Sequence, residues 1–173
     1  MLRIGLISSL LARTASLRPA VARRAASTRL AAAADPFAEN RAPIVLYDGV
    51  CRMCNFWVDW ALDNDPAAKL RFAALQSPAG RRLLERSGRK PDDISSIVLV
   101  TPDDAFIKSE AVLEIGKQLR ITTPLATIAQ GIVPRAVADL AYDTIANNRY
   151  NIAGKRSLRD SDARLADRFI SDE

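Results

Sequence analysis

The chain holds two cysteines in its 173 residues, and both fall in the stretch "YDGVCRMC", residues 47–54. Two thiols with two residues between them can close into a disulfide and reopen by exchange. If the first thiol opens a helix, unpaired N–H groups and the helix dipole favour its thiolate. The second, one turn on, can reach the first and resolve a mixed disulfide. On this reading Cys51 is the exposed, attacking sulfur and Cys54 the more buried, resolving one. Arg52 between them adds positive charge beside the thiolate. Asp48 has two uses: it can take the proton from Cys54 during resolution, or it can cap the turn or the helix. Gly49 would allow a tight turn with φ > 0. The plainer alternative for the pair is two inert, half-buried thiols.

Other chemistry is excluded by what the chain lacks. It has no histidine, which removes Ser-His-Asp and Cys-His nucleophile pairs and imidazole metal ligands. Two cysteines alone cannot complete a four-ligand zinc site, so no metal is expected. No nucleotide or flavin motif is present, and no bound cofactor is expected. No apolar run approaches the roughly 18 residues of a membrane helix.

The net charge of +5 points first to nucleic acid. Residues 1–34 carry six arginines and no acid, the first acid being Asp35. Setting those six aside leaves 19 basic residues against 20 acidic. The body is near neutral, so the footprint of nucleic-acid binding is absent from it. An arginine-rich, acid-free segment rich in Ala and Ser, with Leu2, Leu6, Leu10 and Leu17 near one helical face, reads as an organelle transit peptide. Cleavage is expected between Arg24 and Asp35. Arginine-only basicity favours the mitochondrion, its matrix above all, with a plastid as second choice.

The dithiol must be held by ordered elements, and the rest of the chain supplies them. "APIVLYD" reads as a buried strand entering a turn. "RMCNFWVDWALDND" follows as a helix with Cys54, Trp57, Val58, Ala61 and Leu62 on one face. Trp57 and Trp60 are expected to pack the core and rim of that helix, or to shield the sulfurs. "KLRFAAL", alternating Leu70, Phe72 and Ala74, is a second strand. "SPAGRRLLERSG" starts with Ser77 as cap and Pro78 in the first turn, and stops at Gly88. "SSIVLVT" and "FIKS" form a hairpin. Ser109 caps the helix of "SEAVLEIGKQLR". Pro134 opens another in "PRAVADLAYDTIANN", where Val137, Leu140, Ala141 and Ile145 line up. Strand, helix, strand, helix, hairpin, helix is the plan of an α/β, thioredoxin-like core: a four-stranded mixed sheet with helices on both faces. The last helices are an addition to it. The expected organisation is a transit peptide at 1–34, a linker at 35–42, the core domain at 43–154 and a polar charged tail at 155–173, with at most one short helix around Arg164 to Ile170.

"IVLYDGVCRMC", "LRFAALQSPAGRRLL", "SIVLVT", "SEAVL" and "IVPRAVADLAYDTIANNRYNIAGK", in this order, resemble the DCC family of thiol-disulfide oxidoreductases, marked by an aspartate followed by Cys-x-x-Cys. The resemblance spans roughly Pro43 to Lys155. It implies site residues Asp48, Gly49, Cys51 and Cys54. Gln76, Ser77, Ser109, Ala111, Pro134, Asn148, Arg149 and Tyr150 match family positions of less defined role. Two departures stand out. Many members carry a further cysteine near the segment that reads "GKRSLRD" here. Thioredoxins proper place a cis-proline before the third strand, where this chain reads "DISSIVLV".

Two functions follow as expectations. One is an organellar thiol-disulfide oxidoreductase acting on a protein or small-molecule disulfide or thiol. The other is a non-enzymatic accessory subunit of a large mitochondrial complex, since thioredoxin-like domains are reused as interaction modules.

Overall fold

The computed structural model describes residues 35–119, 133–158 and 163–170. The chain divides into two compact units, Met1–Ala38 and Glu39–Glu173. The first is described only at 35–38, a turn closed by the Ala38 N–H on the Asp35 carbonyl. The expected transit peptide lies outside the described residues.

The second unit carries the sheet. β1 (Ile44–Tyr47) pairs in parallel with β2 (Arg71–Ala74) and antiparallel with β3 (Val98–Val100), which pairs antiparallel with β4 (Ala105–Ile107). The strand order is β2-β1-β3-β4. This is the expected thioredoxin-like, mixed four-stranded sheet, flanked by α1 (Arg52–Asp63), α2 (Pro78–Arg86), α3 (Lys108–Gln118) and α4 (Arg135–Ala153). Every residue of β1, β2 and β3 is buried, so both faces of these strands are covered. A parallel pair buried on two sides needs apolar side chains facing both ways. "IVLY" provides them outright. "RFAA" does so because Arg71 satisfies its guanidinium on the carbonyls of Asn40 and Ala42. The alternation expected for this second strand is therefore overridden: Ala73 and Leu75 are as buried as Phe72.

α2 forms where its signals lie. The Ser77 hydroxyl accepts the Gly80 N–H at 3.0 Å, Pro78 stands in the first turn, and Gly88 follows the helix at φ +74. Gly80 is required by close approach, since a Cβ there would lie 2.0 Å from the Ala74 carbonyl oxygen. α2 therefore starts hard against the end of β2.

α3 departs from expectation. Ser109 does not cap α3. Ile107 is the N-cap and has no side-chain bond, while Ser109 lies inside the first turn and donates its hydroxyl to Asp139 of α4. α4 begins after Pro134 as expected and runs to Ala153. The apolar row that lines up in sequence is largely exposed: Val137, Leu140 and Ile145 are 57, 70 and 52% exposed. The inward face is polar. Asp139 meets Ser109, the Asp143 carboxylate meets Lys108 at 2.7 Å, the Tyr142 hydroxyl accepts the Ile97 N–H at 2.8 Å, and Arg149 is buried. A helix docked by hydrogen bonds and ion pairs turns its greasier side outward.

Of the expected tail, residues 155–158 and 163–170 are described. Ala163–Arg168 forms a 3-10 turn, and Phe169 packs beside Phe72 with ring centroids 5.8 Å apart. Arg168 is paired with the buried Asp65 at 2.6 Å. This stretch joins the body through the Phe169 ring, the Arg168 guanidinium and backbone bonding to β2, with Leu165 packed against the core. Among the described residues, no helix is long and apolar enough to cross a membrane.

Candidate functional site

The dithiol sits where β1 hands over to α1. Cys51 is the N-cap residue of α1 in an extended conformation, and its Sγ accepts the Cys54 N–H at 3.4 Å. Both cysteines are free. Asn55 fixes the turn from beneath: its Nδ2 donates to the carbonyls of Gly49 at 2.9 Å and Cys51 at 2.8 Å. Gly49, expected from sequence at positive φ, is not held there; among the described residues the glycines that are lie at 88 and 154. Its constraint is space. A Cβ there would meet Leu158 Cδ1 at 2.6 Å and Ala74 Cβ at 2.9 Å.

The expected exposure of the two sulfurs is reversed. Cys51 is 0% exposed, while Cys54 is only partly buried. The cause is the strap that follows α4. Gly154, at φ +77, turns the chain back, and Lys155 forms an antiparallel bridge with Cys51. The Arg52 N–H bonds the Gly154 carbonyl at 3.3 Å, and the Arg156 N–H bonds the Val50 carbonyl at 2.9 Å. Backbone that is distant in sequence thus roofs the first cysteine.

Asp48 is the hub beside them. It is 4% exposed and accepts four hydrogen bonds. One oxygen takes the Val50 N–H at 3.2 Å and Gln76 Nε2 at 2.7 Å. The other takes Arg149 Nε at 3.0 Å and the Tyr150 hydroxyl. Gln76 also accepts the Gly49 N–H at 3.0 Å, which ties the turn to the end of β2. Arg149 also donates to the Ala146 and Ile94 carbonyls and to the Tyr150 hydroxyl. Of the two sequence readings of Asp48, the geometry matches turn capping, extended into an ion pair.

These contacts set the electrostatics. Burial pushes the Cys54 thiol up, and the hydrogen bond to Cys51 and the charges of Cys51 and Asp48 push the same way; Arg149 opposes them. Burial also raises the Tyr150 phenol, helped by its bond to Asp48. For Arg149, burial pulls downward, but Tyr150 and Asp48 outweigh it and the guanidinium is raised. The cation that acts on Cys54 is thus Arg149, from the far end of the domain. Arg52 points outward and is exposed.

Cys54, Asp48 and Arg149 also share the wall of a cavity of about 340 Å³. Its floor is Val45, Tyr47 and Phe72 of the sheet. Met53, Trp57 and Val58 come from α1, Ile94–Ile97 from the segment before β3, and Val112, Ile115, Tyr142 and Ile145 from α3 and α4. Trp57 is 54% exposed at the rim, not packed in the core; it meets Trp60 edge-on at 5.6 Å.

The residues singled out from sequence thus separate. Asp48, Gly49, Cys51, Cys54, Gln76, Arg149 and Tyr150 converge. Ser77 and Pro134 serve helix starts, Ala111 is core, and Ser109 links α3 to α4. Asn148 bonds the Thr144 carbonyl of its own helix. Asn55 and Tyr142 were missed. Asn55 follows the motif directly, and a polar side chain at the first inward position of a helix is the signal that could have found it. Among the described residues, no cluster of three or more Asp, Glu or Cys could hold a metal.

The DCC1-like thiol-disulfide oxidoreductase family model matches residues 45–155. A DCC family protein of Arabidopsis thaliana, described as chloroplastic, is 49% identical over 119 residues, 69% of each chain. The uncharacterized protein YuxK of Bacillus subtilis (strain 168) is 35% identical over 114 residues, 66% of this chain and 82% of that one. No solved structure matches the chain. The chain belongs to the DCC1-like thiol-disulfide oxidoreductase family.

Proposed function

With that family membership as premise, we propose that Cys51 and Cys54 are the working dithiol of an organellar enzyme that exchanges thiols and disulfides. One observation carries the reading: Cys51 Sγ occupies the N-cap of α1 and receives the N–H of Cys54, which places the two cysteines one turn apart at the start of the helix. Asp48 is a positioning residue here. With all four hydrogen bonds committed, it fixes the turn and sets the charge felt by Cys54. The substrate is a thiol or disulfide, and no resident cofactor is part of the reaction.

The test is thiol counting and exchange. Oxidation should remove both thiols, and a small dithiol should restore them. Cys51→Ser and Cys54→Ser should each abolish turnover with a model disulfide. Full turnover in either variant would defeat the reading.

The organelle is proposed from the acid-free, arginine-rich first 34 residues. The chloroplastic relative favours a plastid, the second choice from sequence, and lends no support to the mitochondrial first choice. Intact mass of protein from its native source should lack about 24–34 residues, as for a processed transit peptide. Retention of the whole segment would count against it. A second reading, an accessory subunit of a larger assembly, is favoured by one feature, the outward apolar row of α4 at Val137, Leu140 and Ile152. Migration in a large complex on a native gel, with both cysteines dispensable, would support it.

A further inference from the structure

The roof over Cys51 and the cavity beside Cys54 bear on the same question: which sulfur meets the substrate, and what the substrate is. In a strand-to-helix dithiol the first cysteine ordinarily faces outward. Here the backbone of Gly154–Arg156 lies across it, and it is fully buried. The other sulfur has access, through a space and not a flat surface. Its cavity of about 340 Å³ is at the small end of ligand sites, which run about 300–1,000 Å³.

The walls of that space select against charge. Among its described lining residues, Arg149 is the one cation, and its guanidinium is already committed to Asp48, Ile94, Ala146 and Tyr150. The Tyr142 hydroxyl holds the Ile97 N–H. A carboxylate entering here would lose its hydration among mostly apolar walls, with the hydroxyls of Ser95 and Ser96 as the polar groups beside Arg149, Asp48 and Tyr142, a cost that an apolar molecule avoids. Trp57, Val112 and Ile145 stand at the rim, each about half exposed at 54, 48 and 52%.

We propose that the substrate-facing sulfur is Cys54, and that the cavity admits a small, uncharged, apolar thiol which reduces the Cys51–Cys54 disulfide. This rests on the exchange reading above. The bound thiol enters uncharged, releases its proton to solvent, and its thiolate attacks Cys54 Sγ. The Cys51–Cys54 bond breaks, and its electron pair leaves on Cys51, whose sulfur sits at the helix start against the Cys54 N–H and takes a proton from solvent. Cys54 now carries a mixed disulfide with the substrate. A second substrate thiolate attacks the substrate sulfur of that bond, and the pair leaves on Cys54, which takes a proton. Two thiols become one disulfide, and the protein disulfide becomes a dithiol. Exchange with an external disulfide restores the oxidised protein. A sulfur pushed toward its protonated form is a poor leaving group, which favours expelling Cys51 and not Cys54 in the first step; the departure of Cys54 is then the slower, second step, and Cys54 is a stable thiol once it has taken its proton.

The experiment is single-turnover reduction of the full-length oxidised protein by benzyl mercaptan and by glutathione. Rates are compared per thiolate, and the mixed disulfide is trapped by acid and mapped by mass. Benzyl mercaptan should be faster by about tenfold or more, the scale on which an apolar pocket discriminates, and its adduct should lie on Cys54. Val112→Trp and Ile145→Trp, both at exposed rim positions, should slow benzyl mercaptan by a similar factor. Thermal melts show that each variant is folded. An adduct mainly on Cys51, or equal rates indifferent to both rim variants, overturns this inference while exchange itself stands. Failure of the oxidised protein to react with either thiol overturns the exchange reading and this inference with it.

Discussion

Among the described residues two aspartate–arginine pairs are buried, and they do different work. Asp65 pairs with Arg168, their side chains 1% and 13% exposed; Asp48 pairs with Arg149, at 3% and 11%. Asp65 spends its other bonds on backbone. It accepts the N–H of Lys69 at 3.0 Å and of Leu70 at 2.9 Å, shaping the loop that enters β2. Asp48 receives three of its four bonds from side chains, and it shares a cavity wall with a thiol whose proton it helps to retain. The same pair of residue types, equally buried, therefore organises a loop in one place and an electrostatic environment in the other. Burial alone does not mark a site; the neighbours of the charge do.

The comparison can be broken most directly by orphaning a cation. Asp65→Ala and Asp48→Ala should each cost about 3–5 kcal/mol in urea unfolding, because each leaves a buried guanidinium unpaired. Costs near zero at both would show that the pairs are dispensable. The milder Asp→Asn changes separate the two. Asp48→Asn should speed alkylation of Cys54 in the reduced protein, by up to about tenfold for one unit of thiol shift, because a charge that raises this thiol has gone. Asp65→Asn should leave that rate unchanged.

Tyr150→Phe removes one donor from Asp48 and should cost about 1.5–3 kcal/mol, the range for a bond to a charged group. It also carries a pH signature. Burial raises the phenols of Tyr150 and Tyr142, so the folded chain holds these protons at a pH where the unfolded chain has released them. Their contribution is complete below the unfolded value of about 10 and is lost as pH climbs through the raised folded values. Tyr150→Phe should flatten that alkaline loss in melts taken across the range. The smallest effect belongs to the more exposed pair Lys108–Asp143, at 32% and 40%. Asp143→Asn should cost about 0.2–1 kcal/mol. A cost equal to that of the buried pairs would show that burial is not what sets the scale.

The sheet and the first two helices were legible because their signals are local. "IVLY" is apolar without interruption, and Ser77, Pro78 and Gly88 mark the limits of α2 within a dozen residues. α4 was legible as a helix but not as to its face, since counting apolar residues selects Val137, Leu140 and Ile145 while the docking is done by Asp139, Tyr142, Asp143 and Arg149. The burial of Cys51 was beyond local reading altogether, because its roof arrives about a hundred residues later. For the same reason Arg52, adjacent in sequence, was preferred as the cation, and Arg149 came forward only through the family resemblance.

β2 is an outermost strand, and nothing in the order β2-β1-β3-β4 pairs with its far side. The Ile170 N–H reaches the Phe72 carbonyl at 2.8 Å, Phe169 forms a parallel bridge with Phe72, and Arg168 Nε bonds the Leu70 carbonyl at 2.8 Å. A row of backbone groups that would otherwise be a template for another chain is thereby occupied from within. A chain cut back to Leu158 exposes that row beside buried Phe72, and its characteristic failure is concentration-dependent self-association, with the dithiol still in place.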